Sequence, residues 1–396
     1  MASTHSYIGV ALIIIQNMDG INLISYNSDM GQALYRKYRP KKLDDVLGQE
    51  TNITILKNAA KNNRLGQAYV FYGPRGTGKT TTARLLAKLL NCEKRYTDPE
   101  FVKLGEPCNE CTECRQIDAQ NSFDVIEIDA ASNRGIDEIR NLKENIATSP
   151  TTAKHKIYII DEAHMLTGAA FNALLKTLEE PPRHAVIVLA TTEYEKLPPT
   201  ITSRTQRFSF KKLGKPDIMK KLAAEAKEEK IKIDEPALEL IAAAAEGSFR
   251  DAESLLDQIS SLQTNIDLAA AERITGRIGI KKIHAMAECI VKKDLASSLK
   301  HVAELEDEGY NLVIFVKDLI HYIRKAISIK IDPSLGTMFE KELTRDEITM
   351  LKKLASEADT AFLIKFLSSL IRAYSEMRYS PFAAVPLEVV LAENMQ

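Results

Sequence analysis

Short apolar runs alternate with helical patterns from Gly66 to Phe210. The runs are Ala68–Tyr72 (AYVFY), Val125–Ile128 (VIEI), Ile157–Ile160 (IYII) and Val186–Ala190 (VIVLA), with Arg207–Phe210 (RFSF) as a fifth. Apolar runs of this length predict strands buried on both faces, and their alternation with helices predicts a parallel sheet covered by helices, an α/β fold. One helix is sharply marked: Phe171, Leu174, Leu175 and Leu178 fall at i, i+3, i+4 and i+7, and Pro181 and Pro182 stop it. Another is predicted over Thr81–Leu90.

Beyond about Lys212 the strand signal disappears and the remainder reads as helices. Ala237–Glu246 meets Gly247, a natural left-handed stop, and Ser248 is placed to cap a helix over Phe249–Leu262. From about Ile274 onward, stripes such as Leu312, Val316, Leu319, Ile320, Ile323 and Phe362, Phe366, Leu367, Leu370, Ile371, Tyr374 recur at helical spacing. Core packing explains such stripes, and a partner-facing surface is the alternative. The start differs in texture: Tyr7–Ile15 is apolar but lacks a basic flank, and it is shorter than the roughly 20 residues that span a bilayer. Met30 opens a Lys-, Arg- and Pro-rich sequence, so residues 1–29 are expected to be an upstream extension or a misplaced start. The expected division is 30–211, an α/β domain; 212–273, a small helical domain; and 274–396, an all-helical domain.

Lys and Arg number 53 against 54 for Asp and Glu, a formal net charge of -1. That excludes a polybasic coat, so any DNA contact must be local. Hydrophobic residues at 45% exclude a disordered chain. Of five cysteines, four crowd between Cys92 and Cys114, which is not the framework of a small secreted domain and fits a reducing cytoplasm.

Gly73-Pro74-Arg75-Gly76-Thr77-Gly78-Lys79-Thr80 matches G-x-x-x-x-G-K-[ST] between a predicted strand and the helix that Thr81 opens. Gly76 and Gly78 let backbone N–H groups curl around a phosphate, Lys79 reaches the β- and γ-phosphates, and the Thr80 hydroxyl holds Mg²⁺. All of Gly73 to Thr81 is therefore assigned to nucleotide binding. The strand Ile157–Ile160 ends in Asp161 and Glu162, as a Walker B element does: Asp161 for the Mg²⁺ shell, Glu162 to polarise the attacking water. His164 either contacts the site or packs at a helix start. Cys92, Cys108, Cys111 and Cys114 give C-x15-C-x2-C-x2-C, which suits tetrahedral structural Zn²⁺; a redox dithiol or unrelated buried thiols are the alternatives. Cys289 stands alone and is expected in a core. Arg204 precedes the last strand and is expected at the sheet end that carries the phosphates, where it could complete a neighbouring subunit's site; a surface role is the default for it and for Arg250.

Together, Leu34-Tyr-Arg-Lys-Tyr-Arg-Pro40, Val46-Leu-Gly-Gln49, the P-loop, the four cysteines, Asp129-Ala-Ala-Ser-Asn133, Asp161-Glu-Ala-His164, Phe171 to Pro182, Arg250-Asp251 and Leu255-Leu-Asp-Gln258 form a recognisable set. From Met30 to roughly Leu262 the chain resembles the bacterial DNA polymerase III gamma/tau family of clamp-loader AAA+ ATPases, with weaker similarity to the end. The resemblance implies a RecA-like AAA+ P-loop NTPase domain with a five-stranded parallel sheet and an inserted zinc module at about 91–115, then a helical lid and an all-α oligomerisation collar. It implies that Tyr38, Arg39 and Val46 line an adenine pocket, that Thr192 is a sensor threonine, that Arg250 is a sensor arginine from the lid, and that Arg204 acts in trans. The family has Ser-Arg-Cys where this chain has Ser203-Arg204-Thr205; the arginine is kept. The chain ends at Gln396, about where the family's collar ends, so a short form or a truncated record is expected.

The function implied is ATP-driven loading of the beta sliding clamp onto primer-template DNA during replication, in the cytoplasm at the nucleoid-associated replisome and without a membrane. ATP, Mg²⁺ and Zn²⁺ are the expected cofactors; delta, delta-prime, further gamma/tau copies, the clamp and DNA are the expected partners. Ser132, Asn133 and Arg134 are candidate DNA contacts or solvated loop residues. A non-motor scaffold like delta-prime is disfavoured by the intact Lys79, Thr80, Asp161 and Glu162, and a branch-migration helicase by the cysteine insertion. A polymerase site is not expected, so any polymerase label belongs to the holoenzyme.

Overall fold

Five strands, β1 (Ala68–Tyr72), β2 (Val125–Asp129), β3 (Lys156–Asp161), β4 (Ala185–Thr191) and β5 (Gln206–Ser209), form one parallel sheet in the order β2-β3-β4-β1-β5. Each expected strand is present, with ends displaced by about one residue. The computed structural model describes residues 32–133, 142, 144–262, 265–340 and 343–395; the extension expected over 1–29 and Arg134 lie outside the described residues. β3 and β4 are buried almost throughout, which is why their sequences show no polar alternation. Alternate side chains serve two cores. Tyr69, Phe71, Ile157, Ile159, Val186 and Val188 pack against the helices Glu50–Lys61 and Lys79–Asn91, while Val70, Tyr158, Ile160, Ile187 and Leu189 pack against Gly168–Glu179.

The register places Tyr72 opposite Thr191 and Asp129 opposite Asp161, so the ends of β1 to β4 share one edge. Parallel α/β sheets bind ligands at that carboxyl edge. The helix Lys79–Asn91 starts there, directly after the loop that leaves β1.

The small helical unit comprises Lys215–Glu228, Glu235–Ala244, Phe249–Ser260 and Leu268–Thr275 around its own core, which Leu34 and part of Tyr38 join. Ser248 caps the third helix, its Oγ accepting from the Asp251 N–H at 3.2 Å. One feature departs from the expected all-helical remainder: Lys232–Ile233 pairs in parallel with Asn265–Ile266. Two-residue strands are too short to leave a periodic trace. Six longer helices between Ile280 and Asn394 build the last core. Leu312, Val316, Leu319, Ile323, Phe366 and Leu370 are buried in it, Ile320, Phe362, Leu367 and Tyr374 pack at its margin, and Ile371 is exposed. No helix among the described residues is long and apolar enough to cross a membrane.

Candidate functional site

A cavity of about 490 Å³ opens between the sheet's carboxyl edge and the small helical unit, within the roughly 300–1,000 Å³ of small-molecule sites. Gly76 at φ +70° and Gly78 at φ +97° turn the loop into the helix N-terminus. Lys79 is 6% exposed, and its ammonium donates to the carbonyls of Gly73 (2.9 Å) and Pro74 (2.8 Å). Burial pushes Lys79 below its ordinary range, and Glu162 and Asp161 oppose that shift. The Thr80 hydroxyl donates to Asp161 Oδ2 at 2.9 Å, so the end of β1's loop and the end of β3 already meet.

Glu162 adopts φ +47°, uncommon for a residue with a side chain, at the sharp exit from β3. Its Oε2 accepts from the Thr192 hydroxyl at 2.9 Å and from the Thr192 N–H at 3.3 Å. His164, of the two alternatives, takes the site: Nδ1 lies 2.9 Å from Thr191 Oγ1 and 3.4 Å from Glu162 Oε2, and Nε2 lies 3.1 Å from Glu193.

The small helical unit closes over this loop. The Phe249 N–H donates to the Gly76 carbonyl at 3.1 Å, and a Cβ on Gly76 would lie 1.8 Å from Ser248 Oγ, so this position must be glycine. Arg250, one residue on, lines the cavity with its guanidinium 4.9 Å from the Tyr35 ring centroid. Of the expected residues, Arg39, Val46, Arg75, Gly76, Thr77, Gly78, Lys79, Thr80, Thr81, Asp161, Glu162 and Arg250 line the cavity. Gly73 and Pro74 touch it through Lys79, and Thr192 through Glu162.

Tyr38 and Arg204 are placed differently. Leu34 and Tyr38, four residues apart, turn into the core of the small helical unit, where the Tyr38 hydroxyl donates to Glu229 at 2.6 Å. The neighbouring face of that turn carries Tyr35 and Arg39, and they are the residues that line the cavity. Arg204 is not at the phosphate-bearing edge. β5 runs parallel to β1 with Gln206 opposite Tyr69, so residues before Gln206 lie at the amino edge, and Arg204 binds Glu179 (Nε 2.9 Å, Nη2 2.6 Å). Ser132 and Asn133 fold back on Asp129, the Ser132 hydroxyl donating to its carboxylate at 2.7 Å and the Asn133 amide to its carbonyl at 3.1 Å.

The Sγ atoms of Cys92, Cys108, Cys111 and Cys114 lie within 4.8 Å of one another, with Cys108 and Cys114 at 3.9 Å. Tetrahedral Zn–S bonds of about 2.3 Å place sulfurs about 3.8 Å apart. The N–H groups of Glu110 (3.4 Å) and Cys111 (3.3 Å) donate to Cys108 Sγ, and that of Cys108 to Cys92 Sγ (3.3 Å), as thiolates require. The Cys114 thiol, with the N–H groups of Cys108 and Arg95, holds Cys92 below the usual thiol range against burial; Cys114, giving that hydrogen bond and itself buried, is pushed up. The donor set and spacing fit Zn²⁺. Cys289 is half-buried on the helix Ile280–Val291.

Three family models match consecutive stretches: "DNA polymerase III, delta subunit" over 48–214, "DNA polymerase III clamp loader subunit, ATPase lid domain" over 217–261, and "DNA polymerase III subunits gamma and tau domain III" over 266–393. The tau subunit of Bacillus subtilis is 40% identical over 366 residues, covering 92% of this chain. The chain belongs to the DNA polymerase III gamma/tau family. Mycoplasma pneumoniae gamma/tau is 39% identical over 84% of the chain, and Escherichia coli tau 36% over 91%. The chain spans 63%, 49% and 54% of those three relatives. Among solved structures, the Bacillus subtilis clamp loader delta protein aligns at TM-score 0.40 and 14% identity, covering 86% of this chain and 99% of that one. The Thermotoga maritima RuvB Holliday junction branch migration motor aligns at 0.44 and 17%, covering 64% and 79%.

The family's motifs do not announce every wall of the cavity. Tyr35 and Leu47 fall inside those motifs, but Lys221, Phe249 and Glu253 fall outside them and also line it. Glu253 was findable: it follows Arg250 at i+3 and shares its helix face.

Proposed function

We propose that this chain is the ATP-hydrolysing motor subunit of a clamp loader, using nucleotide to load the ring-shaped clamp onto primed DNA. The observation that carries it is the convergence of Lys79, Thr80, Asp161, Glu162 and Arg250 on one cavity, with Thr192 holding Glu162 from behind. The families matched and the names of the relatives support the replication setting. The proposal includes the division into an ATPase domain (30–211), a lid (212–273) and a collar (274–396), which the three matched stretches support.

The loop N–H groups and Lys79 bind the β- and γ-phosphates of ATP, and Arg250 reaches the γ-phosphate from the lid. Mg²⁺ held by Thr80 and Asp161 supplies charge neutralisation at those phosphates. Glu162 orients water for in-line attack; the bond from the γ-phosphorus to the bridging oxygen breaks, and ADP and phosphate leave. Thr192 and His164 fix the carboxylate until then. Arg39 and Val46, with Tyr35 beside them, face the base. Arg204, on the edge remote from its own cavity, serves the cavity of a neighbouring copy. The four cysteines hold Zn²⁺ as a structural centre. Delta, delta-prime, further gamma/tau copies, the beta clamp and primer-template DNA are the partners, in the cytoplasm.

The test is ATP turnover of the assembled loader with and without clamp and primed DNA. Wild-type turnover rises with both, and Glu162→Gln binds ATP while turnover falls on the order of 10²–10⁴-fold. Turnover indifferent to both clamp and DNA refutes the proposal.

A further inference from the structure

Glu106 is 8% exposed, and its carboxylate gathers three donors. The Leu43 N–H reaches Oε2 at 2.7 Å, the Asp44 N–H reaches Oε1 at 3.1 Å, and the Lys57 ammonium lies 3.0 Å from Oε1. Leu43–Asp45 is a single 3₁₀ turn whose leading N–H groups have no partner of their own inside it. Glu106 supplies that partner from more than sixty residues away. The turn leads directly into the cavity wall: the Val46 N–H closes it on the Leu43 carbonyl at 3.1 Å, and Asp45, Val46 and Leu47 all line the cavity. Val46 stands beside the phosphate loop, 3.5 Å from where a Cβ on Gly78 would sit.

The other side of Glu106 leads to the sulfurs. Only Pro107 separates it from Cys108, and the Cys108 N–H donates to Cys92 Sγ at 3.3 Å. Gly105, at φ +67°, lets this stretch lie on the helix Glu50–Lys61; a Cβ there would meet the Lys57 carbonyl at 2.9 Å. A second tie runs in parallel: Asp118, at the end of the helix that Cys111 opens, takes both carboxylate oxygens to the buried Lys88 of the phosphate-loop helix, at 2.7 and 2.8 Å.

We propose that Glu106 is a positioning residue that couples the four-cysteine centre to the base-side wall of the nucleotide cavity, so that metal occupancy raises nucleotide affinity. The inference rests on the ATPase function proposed above and on Zn²⁺ at the cysteines. With the sulfurs gathered, Glu106 is presented to the turn and the wall is preformed; with them released, the turn loses its partner and the wall is ordered in only a fraction of molecules. The apparent dissociation constant is the intrinsic one divided by that fraction, so affinity falls in proportion. Linkage makes the effect reciprocal, so bound nucleotide retains the metal.

The test uses the full chain and follows ATP binding, inorganic tripolyphosphate binding and zinc transfer to a chromophoric chelator. For Glu106→Ala, the ATP dissociation constant and KM rise about tenfold while kcat holds and zinc is still bound. Tripolyphosphate, which uses the loop and not the wall, binds both proteins equally. Glu106→Gln keeps one acceptor oxygen and falls between them, which guards against a folding defect in the alanine variant. Bound ATP slows zinc transfer from the wild type and not from Glu106→Ala. A wild type that binds no ATP refutes the function proposed above. ATP affinity unchanged by Glu106→Ala, tripolyphosphate weakened in step with ATP, or a zinc-free wild type that binds ATP fully overturns this inference alone.

Discussion

Replacing Glu253 by glutamine changes how the lid responds to pH. Glu253 is 4% exposed and Glu225 2%, and the Lys221 ammonium lies 3.7 Å from the first and 3.5 Å from the second while resting 3.8 Å above the Phe249 ring centroid. Two carboxylates and one ammonium leave one buried negative charge without balance, and one proton removes it. Burial, reinforced by Glu225 and opposed by Lys221, accordingly pushes Glu253 up to about 8; burial raises Glu225 also. The folded lid therefore keeps a proton that the unfolded chain, with an ordinary carboxyl, releases near pH 4.5. The stability linked to that proton is full below the unfolded value and is lost as pH rises toward 8. Each pH unit of difference is worth about 1.4 kcal/mol, so between about pH 5.5 and 7.5 the loss is about 2 kcal/mol after allowing for sharing with Glu225. Hydrogen exchange of the amides in Phe249–Ser260, corrected for intrinsic rates, reads that loss directly. The wild-type protection energy falls across the window and Glu253→Gln is flat. Equal slopes in the two proteins refute the shared-proton account.

Arg204→Ala keeps ATP binding but removes on the order of 10³-fold or more of stimulated turnover in an assembly built only from it, and mixing it with Lys79→Ala subunits restores part of the rate because each copy supplies what the other lacks. Normal turnover by the pure Arg204→Ala assembly, or no recovery on mixing, refutes the trans assignment. Cys108→Ser loses zinc by atomic absorption and melts at lower temperature, since it removes both a ligand and the sulfur that accepts the Glu110 and Cys111 N–H groups. An unchanged zinc content refutes the four-cysteine centre.

The residues whose chemistry is fixed by a local pattern were legible: the phosphate loop, the acidic end of β3 and the cysteine spacing are each set by residues close together along the chain. The strands were legible because burial on both faces leaves an unbroken apolar run, and the two-residue pair Lys232–Ile233 with Asn265–Ile266 was not, because it has no room for a pattern. Arg204 shows a different limit. Its neighbours in sequence predict a strand, but only the pairing of Gln206 with Tyr69 says that the residues ahead of that strand lie at the amino edge. Tyr38 shows a third: Tyr35 and Tyr38 differ in fate because Leu34 commits one face of the turn to the lid core.

The parts that hold the site in shape were the least legible, and for one reason. Glu162 is held by Thr192 from the next strand, the Gly76 carbonyl by the Phe249 N–H from the lid, and the Leu43 and Asp44 N–H groups by Glu106 from the cysteine loop. Each holder lies far along the chain from what it holds, and each acts through a hydroxyl, a carboxylate or a backbone N–H that no local pattern marks. A motif specifies which atoms meet phosphate and metal, whereas precision of about half an ångström comes from second contacts such as these. The same separation makes the site responsive: a change at Phe249 or at the sulfurs reaches the nucleotide cavity through a hydrogen bond to its backbone, without replacing any side chain that touches the phosphates.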